Sequence, residues 1–121
     1  MTKDSLGDRM KENYENVYRI RLTRRTPVII RIDGRAFHSF TKKFCRPYDL
    51  VFKQTMWNTA QYLCEKIQNA RIAYVQSDEI SILMVDYNKL TTSAWFDNNM
   101  QKICSVSASM ATLFFNSNFN V

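Results

Sequence analysis

Two strand-like runs separated by only three residues constrain the fold of this chain more than any other feature. RIAYVQ covers residues 71–76 and ISILMVD covers residues 80–86, and both runs are rich in β-branched and other apolar residues. The connection Ser77-Asp78-Glu79 is too short for a crossover between parallel strands. We therefore predict an antiparallel hairpin whose tip carries two adjacent acidic residues, which suits either a binding site or an ordinary solvated turn.

A third strand is predicted at 28–33, where VIIRID follows Pro27. Alternation along this strand puts Val28, Ile30 and Ile32 on one face and Ile29, Arg31 and Asp33 on the other. Asp33 ends the strand directly before Gly34. Gly34 has no side chain and lets a ligand approach the backbone next to the Asp33 carboxylate, as in a binding site. The same two residues equally fit a common Asp-Gly turn.

Apolar residues at helical spacing predict three helices, at 5–22, at about 49–68 with Asp49 as its cap, and at about 96–115. The apolar stripe of the first helix is Met10, Tyr14, Val17 and Tyr18. The predicted core stripe of the second is Phe52, Met56, Thr59, Ala60, Leu63 and Ile67. The predicted inner face of the third is Ile103, Val106, Met110, Leu113 and Phe114.

The order strand, helix, hairpin, helix predicts an α+β fold with an antiparallel sheet. Only two glycines and two prolines occur, so most of the chain should be regular structure. The C-terminal residues LFFNSNFNV expose Phe114, Phe115, Phe119 and Val121 with nothing after them to cover them. We therefore expect residues 1–121 to be the N-terminal part of a larger domain.

Positive charge is concentrated in the first part of the chain. The formal net charge is +6, but residues 1–46 carry twelve Lys and Arg against five Asp and Glu. Between Arg19 and Arg46 the only acidic residue is Asp33. The positive charge suits a partner that carries phosphates, such as a nucleotide or RNA. The alternative is a soluble surface that is basic without binding such a partner.

If the first strand lies beside the hairpin, Asp33 and Asp78 meet at one edge of the sheet. Two carboxylates there repel each other unless they are protonated, separated or bound to cations. Phosphoryl transfer uses cations: two Mg²⁺ ions activate the attacking hydroxyl and neutralise the leaving phosphate. Oxygen ligands without a neighbouring Cys or His favour Mg²⁺ over Zn²⁺. This arrangement is similar to a polymerase palm, an antiparallel sheet with helices packed on one face.

Five stretches carry a resemblance to a known family: SLGDRMKENYE, RRTPVIIRIDGRAFHSFTKKF, RPYD, YVQSDEISILMVDY and AWFDNNMQKICSVSASMAT. Together they cover nearly the whole chain and resemble the tRNA-His guanylyltransferase family, which includes related 3′-to-5′ polymerases. The resemblance implies addition of a guanylate to the 5′ end of tRNA-His. In that reaction ATP or GTP activates the 5′ phosphate, the 3′-hydroxyl of GTP then attacks, and pyrophosphate is finally removed.

The resemblance also implies roles for individual residues. Asp33 and Asp78 would hold two Mg²⁺ ions with the Gly34 carbonyl, and Glu79 would assist them in catalysis. The residues that would bind the triphosphate are Asp33, Gly34, Arg35, Ala36, Phe37, His38, Ser77 and Asp78. Arg31, Arg46 and Lys102 could meet phosphates, and Arg31 could equally form a structural ion pair. For His38, a stacking or phosphate contact is favoured over general-base catalysis.

The sequence also departs from the family pattern. The palm of the family has a fourth strand, and the family's chains have a C-terminal half. This sequence lacks both. Asp97-Asn98-Asn99 stands where the eukaryotic tRNA-His branch is basic, which favours the members that repair damaged tRNA 5′ ends. The sequence is also compatible with an inactive RNA-binding remnant and with a nucleotide cyclase, although cyclases usually have a glycine-rich hairpin tip.

The chain has three widely spaced cysteines, Cys45, Cys64 and Cys104, and no CxxC motif. This spacing argues against a disulfide framework, so we expect the three thiols to be reduced and buried. The predicted location is the cytoplasm, with the mitochondrion and the nucleus left open. No window approaches ~18 uninterrupted apolar residues, so no membrane partner is expected. The family resemblance implies a homo-oligomer, typically a tetramer.

Overall fold

A three-stranded antiparallel sheet forms the centre of the structure, a computed structural model that describes residues 5–35 and 50–119. The strands are β1 (Val28–Asp33), β2 (Ala70–Gln76) and β3 (Glu79–Met84). They pair in the order β1-β3-β2. The predicted hairpin and the α+β fold are therefore confirmed, and β1 lies beside the second strand of the hairpin, the condition on which Asp33 and Asp78 were expected to meet.

Of the helices in the described residues, only the two later ones contact the sheet. The first, α1 (Leu6–Met10), continues through a π-helical turn, Lys11–Glu15, into a 3-10 turn, Asn16–Tyr18. The later helices are α2 (Leu50–Lys66) and α3 (Met100–Asn118). The helix predicted at 5–22 thus ends earlier, and the predicted cap Asp49 lies outside the described residues. None of the helices in the described ranges has the length and apolar character needed to cross a membrane.

The helix predicted at 96–115 begins later, at Met100, because the preceding turn Trp95–Asn98 is left-handed. Phe96, Asp97 and Asn98 have φ angles of 50°, 52° and 56°. A left-handed conformation costs a non-glycine residue about 1–2 kcal/mol. Three such residues in a row therefore form a strained turn that cannot continue directly into a right-handed helix.

The hydrophobic core lies between one face of the sheet and the helices α2 and α3. The inward face of β1 is the predicted one, with Ile30 only 7% exposed and Ile29 69% exposed. The predicted stripe of α2 is also confirmed. Leu63 of α2 and Ile82 of β3 are fully buried and form the centre of this core.

The predicted inner face of α3 is partly wrong. The residues of α3 that are buried are Ile103, Ser107, Ala111 and Phe115, whereas Leu113 is 71% exposed. The small side chains of Ser107 and Ala111 let this face approach the core closely, so size rather than hydrophobicity alone decides which face turns inward.

The expected exposure of the aromatic residues near the C-terminus is partly wrong, because Phe115 is buried and Phe114 and Phe119 are half-buried. Phe115 is 7% exposed, and its ring centroid lies 6.0 Å from that of Phe52 and 5.1 Å from that of Phe119. Phe114 stacks on Tyr62 at 4.4 Å. Val121 lies outside the described residues. These contacts join the end of α3 to α2.

The expected burial of the cysteines is also partly wrong. Cys64 is half-buried, whereas Cys104 is exposed on α3. Cys45 lies outside the described residues.

Asp86, which follows β3, holds the backbone that leads into β1. Asp86 is 6% exposed, and its two carboxylate oxygens accept the backbone N–H of Arg25 at 2.9 and 3.1 Å. Arg25 has a φ of 61°, so this contact stabilises a strained position.

We expect Asp86→Ala to lower the free energy of unfolding by about 1–3 kcal/mol, because the partly buried N–H of Arg25 loses its acceptor. Asp86→Asn keeps one acceptor oxygen and should cost less. Urea denaturation of both variants checks this, and an unchanged midpoint for Asp86→Ala would contradict the assigned role.

Candidate functional site

The end of β1 meets the tip of the hairpin at one edge of the sheet. In the strand register Asp33 is the partner of Glu79, and the backbone N–H of Gly34 donates a hydrogen bond to the carbonyl oxygen of Asp78 at 3.1 Å. Asp33, Asp78 and Glu79, called the acid edge below, therefore lie on directly adjoining backbone.

The hairpin loop is shorter than expected, because Glu79 pairs with Gln76 and leaves only Ser77 and Asp78 unpaired. Ser77 has a φ of 54°. Left-handed backbone is unfavourable for serine but lets a two-residue loop close an antiparallel hairpin. The tight loop holds Asp78 directly next to the end of β1.

The acid edge opens toward solvent on the face of the sheet opposite the core. Alternation puts Arg31 and Asp33 of β1 on the same face as Glu79 and Ser81 of β3. The side chain of Asp33 is 56% exposed and that of Glu79 is 31% exposed. A ligand can therefore approach the carboxylates without displacing the core.

Arg31 provides positive charge at the acid edge. Its Nη2 forms a hydrogen-bonded ion pair with Oε1 of Glu79 and lies 3.7 Å from Oδ2 of Asp33. The hydrogen bond and the charge of Glu79 raise the pKa of Arg31, and the charges of Asp33 and Asp78 add to this. Of the two roles considered for Arg31, the ion pair is present, and the phosphate contact stays a prediction.

The oxygen donors at the acid edge fit a hard cation such as Mg²⁺. Within residues 5–35 and 50–119, no three or more His, Cys, Asp or Glu side chains are grouped so that they could hold a metal ion. Glu79 is hydrogen-bonded to Arg31, and Asp33 forms a longer ion pair with the same guanidinium, so the oxygens considered for a cation are those of Asp33 and Asp78 and the carbonyl of Gly34. Mg²⁺ is usually bound by one or two carboxylates, with further oxygens from substrate phosphates and water.

Of the predicted site residues from Arg35 to Arg46, the structure describes only Arg35. Arg35 is exposed directly after Gly34. Ala36, Phe37, His38 and Arg46 lie outside the described residues, so their contacts with nucleotide or phosphate stay predictions.

Lys102 is not joined to the acid edge by any contact within the described parts of the chain. It lies in the first turn of α3, where its Nζ is 5.4 Å from the ring centroid of Phe96 and its backbone N–H donates to the side chain of Asn99.

Sequence reasoning missed the left-handed turn that carries Phe96. The consecutive residues Asp97, Asn98 and Asn99 were a usable signal, because Asp and Asn tolerate left-handed backbone better than other non-glycine residues. A structural ion pair was one of the two roles predicted for Arg31, but its partner Glu79 was not identified from the sequence.

Comparison with known proteins identifies the family of this chain. A family profile described as tRNAHis guanylyltransferase matches residues 7–121. A solved structure of a bacterial tRNA(His) guanylyltransferase-like protein in complex with GTP is 57% identical, with a TM-score of 0.86, and the match covers 94% of this chain and 52% of that one. A second solved structure, of such a protein in complex with ATP, has the same identity and TM-score and covers 49% of that chain.

Curated sequences give the same result. Uncharacterized protein R259 of Acanthamoeba polyphaga mimivirus is 32% identical over 124 residues, which cover 98% of this chain and 42% of the viral protein. The probable tRNA(His) guanylyltransferase of Homo sapiens is 38% identical over 84 residues, covering 68% of this chain and 26% of the human protein. This chain thus spans between about a quarter and about half of the length of these relatives. Its sequence and fold together show that the chain belongs to the tRNAHis guanylyltransferase family.

Proposed function

We propose that this protein is a Mg²⁺-dependent nucleotidyltransferase that adds a guanylate, or another nucleotide, to the 5′ end of a tRNA in the 3′-to-5′ direction. The observation that carries the proposal is the hydrogen bond from Gly34 to Asp78, which places two acidic strand ends side by side. Family membership supports the reaction class. The GTP and ATP bound to the two bacterial relatives support nucleoside triphosphates as substrates.

Asp33, Asp78 and the carbonyl of Gly34 are the proposed metal ligands. Two Mg²⁺ ions bound there would activate the attacking hydroxyl and neutralise charge on the leaving phosphate. Arg31 holds Glu79 through their ion pair, and its positive charge partly offsets the repulsion among the three carboxylates. A bound cation would replace the longer ion pair between Arg31 and Asp33, while the hydrogen bond from Arg31 holds Glu79 in place.

The triphosphate of the incoming nucleotide is proposed to contact the residues that follow β1 and the hairpin loop. These residues are Asp33, Gly34, Arg35, Ala36, Phe37, His38, Ser77 and Asp78. Arg46 is proposed as a further phosphate contact. The excess of positive charge in residues 1–46 favours binding of both the triphosphate and the tRNA backbone. A cytoplasmic homotetramer is the proposed form of the protein.

The test is extension of a tRNA-His transcript that carries a 5′ monophosphate. We expect the intact protein, given ATP, labelled GTP and Mg²⁺, to lengthen the transcript by one nucleotide at its 5′ end. Chelation of Mg²⁺ should abolish extension. A parallel reaction on a tRNA that lacks its first nucleotide distinguishes 5′-end repair from addition specific to tRNA-His.

Two results would contradict the proposal. Conversion of GTP alone to a cyclic product would identify a cyclase. Salt-sensitive binding of tRNA without Mg²⁺-dependent extension would identify an RNA-binding protein without this activity.

A further inference from the structure

A basic surface separate from the acid edge lies where the segment before β1 meets the start of α3. It consists of Arg19, Arg21, Arg24, Phe96 and Lys102, and we call it the strap patch. The segment 19–25 contains four arginines. Arg24, Phe96 and Lys102 are exposed, and half of the side-chain surface of Arg21 is accessible.

The turn that presents Phe96 is strained and firmly held. Its three left-handed residues are fixed by hydrogen bonds from Leu22 N–H to Asn98 O and from Met100 N–H to Ile20 O, both 2.9 Å. Backbone strain of this kind persists where the surrounding structure enforces it, and it is concentrated at functional sites. Here the enforced conformation leaves an aromatic ring 38% exposed.

The surroundings of Phe96 are those of a stacking platform. The ring of the buried residue Trp95 packs against it with a centroid distance of 4.7 Å. Nζ of Lys102 lies 5.4 Å from its centroid. Stacking of a nucleic-acid base on an aromatic ring is stronger than such an exposed cation–π contact. A base can therefore displace the ammonium group, which is then free to bind a phosphate.

The ion pairs within the strap patch are weak enough to be exchanged. Nε of Arg21 is 3.3 Å from Oδ2 of Asp97, and Nη2 of Arg19 is 3.6 Å from Oε2 of Glu15. Both pairs are solvent-accessible, and such pairs contribute little to stability. Phosphate groups of a bound polyanion can replace these carboxylates.

The arginine end of the strap patch is remote from the acid edge. Arg24 precedes Arg25, whose N–H is bound by Asp86 beyond the Met84 end of β3. Asp33 and Glu79 lie at the other end of the same strand pair. Five residue steps along a strand separate the two ends by about 17 Å. A ligand that contacts both Arg24 and the acid edge must therefore be extended.

From these observations we propose that the strap patch binds RNA, with Phe96 stacking against an exposed base and Arg21, Arg24 and Lys102 contacting phosphates. For the identity of the RNA, this inference rests on the proposed function. In this inference the strap patch is an additional contact surface for the RNA, about one strand length from the acid edge.

The test is binding of a 5′-monophosphorylated tRNA-His transcript to the intact protein, followed by fluorescence anisotropy over a range of KCl concentrations. Phe96→Leu, which removes the ring and keeps an apolar side chain, should weaken binding about tenfold. Arg24→Gln should reduce the slope of log K against log[KCl] by about 1, because one phosphate contact is lost.

The matched control is Trp57→Leu, which removes a 47% exposed ring that also carries a lysine, Lys53, at 4.7 Å. We expect this control to bind RNA as the wild type does. Wild-type affinity and salt slope in both Phe96→Leu and Arg24→Gln would overturn the inference and leave the proposed function standing. Lack of RNA binding by the wild-type protein would overturn both.

Discussion

Replacing Asp33 or Asp78 by Asn should reduce kcat/KM for nucleotide addition to a 5′-monophosphorylated tRNA by at least about a hundredfold. An amide has nearly the shape of the carboxylate but carries no charge, so it binds Mg²⁺ poorly. The loss corresponds to about 3 kcal/mol of transition-state stabilisation. Steady-state kinetics of both variants at saturating GTP and Mg²⁺ measure it.

The fold should survive both substitutions, because the side chain of Asp33 is 56% exposed and the backbone of Asp78 supplies the bond that joins the hairpin to β1. Circular dichroism checks this. Asp8→Asn, the same change at an exposed position of α1, is the control and should leave the rate unchanged. Near-normal addition by either acid-edge variant would refute the assignment of that residue as a metal ligand.

The largest expected effect on stability is that of Leu63→Ala. Leu63 has no exposed surface and lies at the centre of the core. Truncation removes buried methyl groups and leaves a cavity, so we expect the free energy of unfolding to fall by about 2–5 kcal/mol. Chemical denaturation of the variant and the wild type at the same pH measures this difference.

Leu113→Ala is the matched comparison, and it tests the orientation of α3. Leu113 is 71% exposed, so the same truncation should change stability by less than about 0.5 kcal/mol. A loss at Leu113 as large as that at Leu63 would support the orientation predicted from periodicity and contradict the structure.

Local patterns were sufficient to predict most of the sheet. The connection between β2 and β3 is so short that only an antiparallel hairpin is possible. The positions of Arg31 and Asp33 in VIIRID identified the buried face of β1, since a shift of one residue would have buried both charges. These two patterns placed Asp33 at a strand end and Asp78 at the hairpin tip, but that these two positions share one edge of the sheet depended on the assumption that β1 lies beside the hairpin, which the structure shows.

Features that depend on tertiary contacts were not predictable in this way. The inner face of α3 contains Ser107 and Ala111 because close helix packing needs small side chains, and a hydrophobic periodicity does not detect them. The pairing of Arg31 with Glu79 depends on the strand register, which only the assembled sheet defines. The left-handed turn before α3 is stabilised by hydrogen bonds to residues 20–23, far away in the sequence.

The left-handed serine in the hairpin loop restricts the backbone conformations of the loop that carries Asp78. Glycine would adopt the φ of 54° at Ser77 more easily, but it would also give the loop many more accessible backbone conformations. With serine, less conformational entropy is lost when the loop closes, and the carboxylate of Asp78 is held ready before any ligand arrives. The protein thus gives up some intrinsic stability of the loop in exchange for pre-organisation.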